Sequence, residues 1–206
     1  MIEIVDRKMT VQEFREMDFP ENDPFIYELV DGILMKKQAP SPPHQHAVVS
    51  ISHAFKSLTL EKNNGFSYVS PIDVYFDNYN NTQPDVLFIV KERDFIIDPQ
   101  QGIVGAPDLI VEVLSPNNAK SDKVTKKALY LKFGVKEYWI VDPIYKSVLI
   151  YALNNDQYDL KQELIEDGKI ESLILPDLNL DIQVIFSWKK GNNKQWKKRQ
   201  KIKKQS

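Results

Sequence analysis

Two apolar stretches stand in the middle of the chain, Val86-Leu87-Phe88-Ile89-Val90 and Leu109-Ile110-Val111-Glu112-Val113-Leu114, the second broken once by an acid. Continuity over that length predicts strands buried on both faces. Upstream, Ile26 to Lys37 carries two apolar runs around Asp31-Gly32, the pattern of a hairpin with a two-residue turn. Residues 9–18 read as a short helix with Thr10 as N-cap. After the rigid connector Pro40-Ser41-Pro42-Pro43, Val48, Ile51, Phe55 and Leu58 recur at helical spacing, and Gly65 is the expected left-handed cap of that helix. Ser67 to Phe76 alternates as one strand, and Asp77 to Thr82 reads as a loop. A second helix is expected over Asp122 to Phe133, closed by Gly134. Tyr138 to Val141 and Ser147 to Leu153 form strands joined across Asp142-Pro143. Strands are also expected at 158–165 and 169–175, with an alternating segment at 178–182 closing the fold. Strands interleaved with two main helices make an α/β domain around a mixed sheet.

Composition narrows this picture in three ways. Of the 206 residues, 42% are hydrophobic and 27% charged, which is the balance of an ordinary soluble domain able to bury a core. There is no cysteine, so disulfides and thiolate metal sites are excluded. The net charge of −2 is unevenly spread, because nine of the 27 Lys and Arg lie in 189–206, where there is no acid. Residues 1–188 therefore read as one acidic domain and 189–206 as a basic, solvated and disordered tail, with engagement of nucleic-acid phosphates as its alternative role. No run approaches the roughly 18 apolar residues of a membrane span, and Met1 to Asp6 does not begin a secretory signal, so a cytoplasmic protein is expected.

The chemistry follows from acids placed where burial makes them costly. Asp85 opens one buried strand and Glu112 interrupts the other. Two carboxylates on neighbouring strands, with the Val113 carbonyl as a third oxygen, suit a hard divalent cation such as magnesium. Lys126, from the helix that follows, would position water and offset charge on a phosphate. Taken singly, each residue has a plainer role: Asp85 in a turn, Glu112 on an exposed strand face, Lys126 in solvent. Asp108 shares a strand face with Glu112, but four residues at roughly 3.3 Å each separate them by about 13 Å, too far for one ion. Asp108 is assigned instead to shaping the start of its strand. His44, His46 and His53 cluster before and on the first long helix, without a further nitrogen or sulfur ligand to complete a zinc site. His53 is expected to border the core, and Tyr138 and Trp139 to pack within it. No phosphate-binding glycine loop or Gly-x-Ser-x-Gly string is present.

The ordered set of strings is specific. Gly105 to Asn117, then Asp122, Lys126 and Tyr130, then Gly134 to Pro143, preceded by Tyr27 to Gly32, Ser41 to His44 and Gln83 to Val86, resembles the Uma-type restriction endonuclease family. That family lies in the nuclease superfamily marked by a Pro-Asp and a later acid–x–lysine. The resemblance covers roughly residues 10 to 188. It implies a restriction-endonuclease-like core: a central mixed β-sheet of about four strands flanked by helices, with an extra N-terminal hairpin and C-terminal strands. It also implies an endonuclease that hydrolyses DNA phosphodiesters with Mg2+ or Mn2+, acting as a homodimer. Asp85, Glu112 and Lys126 would be catalytic, with the metal on Asp85, Glu112 and Val113. Glu28, also counted as catalytic, matches an acid near that site and is assigned to holding a metal-bound water, and His44 matches a residue near the phosphate. One departure stands out: Leu114 occupies the place where the superfamily usually has lysine. Lys126 takes over that role, on a helix face shared with Asp122 and Tyr130, and Lys127 is the fallback. The competing reading is a catalytically weak or silent nuclease-fold protein that binds nucleic acid or a partner. RNA and branched DNA stay open as substrates.

Overall fold

The computed structural model describes residues 8–115 and 121–188. The basic tail, residues 116–120 and the Asp122 side chain lie outside the described residues. In chain order the elements are α1 (Val11–Arg15), β1 (Phe25–Val30), β2 (Ile33–Gln38), α2 (Pro42–Lys62), β3 (Gly65–Val69), β4 (Val74–Asp77), β5 (Asn80–Thr82) and β6 (Val86–Val90). A 3-10 turn at Lys91–Ile96 leads to β7 (Ile97–Asp98), β8 (Gly102–Val104), β9 (Leu109–Val113), α3 (Ser121–Lys132), β10 (Glu137–Asp142), β11 (Ser147–Asn154), β12 (Gln157–Ile165) and α4 (Ile182–Ile185).

The strands build two six-stranded sheets, ordered β2-β1-β5-β4-β8-β7 and β12-β11-β10-β9-β6-β3. Both are mixed: β9 runs parallel to β10 and β4 parallel to β8, while the other described pairings are antiparallel. The sheet through β9 is thus larger than the expected four strands, and the N-terminal hairpin lies at one edge of the other six-stranded sheet.

The continuous apolar runs are explained by burial on both faces of the second sheet. Leu109, Val111 and Val113 join Val86, Phe88, Trp139 and the α2 residues Ile51 and Phe55 in one core. Ile110 and Leu114 join Leu87, Ile89, Tyr138 and the α3 residues Leu129 and Tyr130 in the other. Side chains alternate along a strand, so Glu112 belongs to the series that faces α3.

Local signals hold at several points. Thr10 caps α1 through a reciprocal pair, Glu13 N donating to Thr10 Oγ1 at 3.2 Å and Thr10 N to Glu13 Oε2 at 2.8 Å, although the helix is shorter than expected. Asp31 and Gly32 both have positive φ, 49° and 74°, as a type I′ hairpin turn requires.

Four expectations need correction. The left-handed cap of α2 is Asn63 (φ 50°), whose N–H donates to the Thr59 carbonyl; Asn tolerates that conformation. Gly65 instead opens β3, where a side chain would collide with the Ile89 carbonyl and the Phe88 ring. The strand expected over 67–76 is two strands in different sheets, split around Pro71, which has no N–H to donate to a ladder. The 77–82 loop contains β5, a fully buried strand in which Asn80 is satisfied from two sides: Asp31 N donates to Asn80 Oδ1 at 2.8 Å and Asn80 Nδ2 to Asp77 Oδ1 at 2.7 Å. Residues 169–175 and 178–182 form no strand beyond a single bridge, Lys169 to Asp181. Their alternation serves burial of Ile170, Leu175, Leu178 and Leu180 against α2 instead.

Candidate active site

Pairing of β6 with β9 sets Val86 opposite Val111. Continuing that antiparallel register by one residue puts Asp85 beside Glu112, on the sheet face that Leu87 and Ile110 share. Both acids border a cavity of about 230 Å3, together with Lys37, His44, Val113 and Lys126. The Asp85 carboxylate is held in place by the Val113 N–H, which donates to Oδ2 at 2.7 Å, and by His44 Nε2 at 3.3 Å from the same oxygen. Pro42 and Pro43 start α2 just before His44, so the rigid connector aims that imidazole at Asp85.

Lys126 is the hub of the other side. Its Nζ lies 2.8 Å from Glu112 Oε1 and 2.9 Å from each oxygen of Glu28. Tyr130, one helical turn on, donates to the same Glu112 Oε1 at 2.6 Å. Glu28, fully buried on β1, also accepts the Gln83 N–H at 2.8 Å, which ties the hairpin to the residue just before Pro84-Asp85. Lys127 goes elsewhere: its ammonium sits 3.5 Å from the centre of the Tyr151 ring. The lysine that meets the carboxylates is therefore Lys126.

Charge balance explains how such a cluster survives burial. Burial pushes the Glu28 carboxyl up, but the ammoniums of Lys126 and Lys37 and the Gln83 N–H outweigh it and hold it below the usual carboxylate range. Asp85 is likewise lowered: burial opposes ionisation, and His44, Lys37 and the Val113 N–H overcome it. Burial works against the Lys126 ammonium too, yet Glu112 and Glu28 hold it well above the ordinary lysine value. Tyr130 is pushed far up by burial and by the same two glutamates, so it stays a hydrogen-bond donor.

Among the described residues no three acid or histidine side chains converge as a ready-made metal cluster. The donors still fit a hard divalent ion. They are all oxygens, two carboxylates stand side by side, and Val113 lines the same cavity. Magnesium keeps several waters and needs only one or two carboxylates.

These features sit within a sequence that a family profile described as "Uma2: Putative restriction endonuclease" matches over residues 11–183. The chain belongs to the Uma2 family. The Uma2 fold seen here is similar to that of a protein from Anabaena variabilis ATCC 29413 described as "a putative nuclease belonging to DUF820". The two superpose with a TM-score of 0.71 at 22% identity, covering 87% of this chain and 98% of the other. The architecture is thus restriction-endonuclease-like. The type IIG restriction endonuclease BpuSI aligns over 72% of this chain and 16% of its own at 10% identity, and its TM-score of 0.39 is too low to carry an argument. No curated protein matches.

The structure brings Asp85, Glu112, Val113, Lys126 and His44 around one cavity, sets Glu28 behind its wall where it meets Lys126 and Lys37, and leaves Asp108 out. Asp108 is fully buried at the start of β9, paired with Arg93 at 3.0 Å and Lys136 at 2.8 Å and accepting the Val90 N–H. That agrees with its assignment to shaping the strand. Tyr138 and Trp139 are core residues, as expected. His53 is exposed rather than at the core border, because it falls on the outer face of α2. His46 bonds to Ser187 Oγ at 3.1 Å, away from Asp85. The residue the motifs missed is Lys37, 3.0 Å from Glu28 Oε1 and 3.7 Å from Glu112 Oε2. One signal was available: Met35 pairs with Glu28 in the hairpin register, and Lys37, two residues on, shares its face.

Proposed function

We propose that this Uma2 protein is a metal-dependent endonuclease that hydrolyses phosphodiester bonds of DNA. The observation that carries this reading is the convergence of Asp85, Glu112 and the Lys126 ammonium on one cavity, from three separate elements. A pure binding surface has no need of buried, mutually compensated acids of this kind. Asp85, Glu112 and the Val113 carbonyl would hold Mg2+ or Mn2+. When bound, that ion would supply Lewis acidity and an acidified water.

The chain's own groups divide the remaining work. Tyr130 and Lys126 both occupy Glu112 Oε1, which directs Oε2 to the ligand side. Lys126 is the fixed positive charge beside the phosphate, orienting the attacking water and offsetting the negative charge that builds on the phosphoryl oxygens. Glu28, whose oxygens take Lys126, Lys37 and the Gln83 N–H, would act by holding Lys126 in that position. His44 holds Asp85. Residues 1–188 would act as one domain with 189–206 as a basic appendage, and a homodimer would supply two sites for cutting two strands. A cytoplasmic location suits a nuclease of cellular DNA, and no described helix is long and apolar enough to cross a membrane.

The test is cleavage of supercoiled plasmid with Mg2+, Mn2+ or chelator, comparing wild type with Glu112→Gln. Metal-dependent nicking that falls about 100-fold or more in Glu112→Gln, with an unchanged circular dichroism spectrum, is expected. Cleavage that persists in chelator, or that the substitution leaves intact, would rule this site out. A folded wild type that neither cuts nor binds metal would mark a silent nuclease fold.

A further inference from the structure

Lys37 is the charged residue of this cavity to which neither the motifs nor the family resemblance gives a role. It stands on β2, diagonal to Glu28 across the hairpin, with its ammonium 3.0 Å from Glu28 Oε1 and 3.7 Å from Glu112 Oε2. The two lysines differ in setting. Lys126 is clamped between two glutamates with its side chain 5% exposed, while that of Lys37 is 20% exposed and lies on the cavity wall. The two oxygens of Glu112 differ as well. Oε1 already takes Lys126 at 2.8 Å and Tyr130 at 2.6 Å, so Oε2 is the oxygen on which an incoming cation would rely. Lys37 is the cation that faces it.

We propose that Lys37 occupies the cation position of the site in the metal-free protein and competes with the divalent ion for Glu112 Oε2. The proposal rests on the metal-dependent reading above and deepens it. Glu28, Asp85 and Glu112 set three carboxylates against the two ammoniums of Lys37 and Lys126, so Lys37 cuts the uncompensated charge of the metal-free cluster from two to one. A divalent ion arriving at Asp85 and Glu112 would repel the Lys37 ammonium across a few ångströms. The flexible lysine stem lets the ammonium withdraw from Glu112 while it keeps Glu28, and it then faces the cavity as a positive group beside the phosphate. Lys37 is in this sense a positioning residue that sets the threshold of metal loading.

The experiment is calorimetric titration of Mn2+, without DNA, into wild type, Lys37→Met, Lys37→Arg and Glu112→Gln. Removing the competing charge is expected to tighten Mn2+ binding about tenfold in Lys37→Met. Lys37→Arg, which keeps the charge, should stay near wild type, and Glu112→Gln should lose binding. Folded Lys37→Met that binds Mn2+ no more tightly than wild type would overturn the competition. Absence of binding in every folded form would overturn the metal reading itself, and the proposal with it. Should Lys37→Met fail to fold, Lys37→Gln removes the charge while keeping a donor for Glu28, and the same criterion applies.

Discussion

A lysine one position along a helix points about 100° away from its neighbour, and at this site that angle separates two very different environments. Lys126 lies under the sheet between Glu112 and Glu28, whereas Lys127 lies over the Tyr151 ring. Replacing Lys126 by Met should leave two buried glutamates short of their cation. A loss of about 3–5 kcal/mol in stability is expected, the usual result of removing one partner from a buried ion pair. Chemical denaturation would read it, and DNA cleavage should be lost in the fraction that remains folded. Lys127→Ala should change cleavage little and stability by about 1 kcal/mol or less, the worth of an exposed cation–π contact. Equal loss of cleavage in both variants would sink the assignment of the lysine role to Lys126.

At the level of elements, an acid outside the site illustrates how the sheet recruits irregular chain. Glu137 on β10 is fully buried and accepts from Trp139 Nε1 at 2.6 Å, Leu173 N at 2.7 Å and Ile174 N at 3.0 Å. Those bonds supply the segment around 173 with partners it lacks through pairing, which is why alternation there does not become a strand. Glu137→Ala leaves two main-chain donors and an indole N–H without an acceptor and should cost about 2–3 kcal/mol, measurable in urea. Cleavage per folded molecule should hold, because Glu137 does not border the cavity. A variant as stable as wild type would show that the segment is retained by Ile170, Leu175 and Leu180 alone.

At the level of the whole molecule, the buried charge cluster couples folding to pH. Glu28 and Asp85 are held below their ordinary values of 4.5 and 3.8. The unfolded chain takes up those protons at the ordinary values while the folded chain resists them. Their contribution is therefore complete above about pH 5 and is lost as pH falls through the folded values. Lys126 is raised above 10.5, so its contribution is complete below that pH and fades only in strong alkali. Melting temperatures in metal-free buffer should rise from about pH 3 to pH 5 and then level off, with a shallower acid slope in Glu28→Gln. A slope unchanged by that substitution would place the acid sensitivity in other groups. The basic segment bears on a different property. Deleting 189–206 removes nine positive charges, and the fall of DNA affinity with salt should flatten by about 0.9 for each phosphate that the segment neutralises. An unchanged slope would assign phosphate binding to the acidic body.

How much of this was legible in the chain depends on whether the signal was local. Asp31-Gly32, Thr10 with Glu13, and the run around Glu112 act within a few residues, so the hairpin turn, the cap of α1 and the buried central strands followed from the sequence. The pairing of β6 with β9 then sets Asp85 one step beyond Val86 and beside Glu112, two like charges that need cations from elsewhere. The hairpin register puts Lys37 on the face of Glu28, but its link to the site depends on the fold that sets the hairpin beside Glu112 on β9, an approach of residues far apart in the chain. The buried strand at Asn80–Thr82 escaped notice for a related reason: its polar residues look like a loop until Asp31 and Asp77 are beside them to satisfy Asn80. The sequence alone determined which apolar segments must be buried and which acids that burial makes expensive. Only the tertiary structure decided which cations compensate those acids, because compensation acts through space over a few ångströms and sequence spacing does not report it.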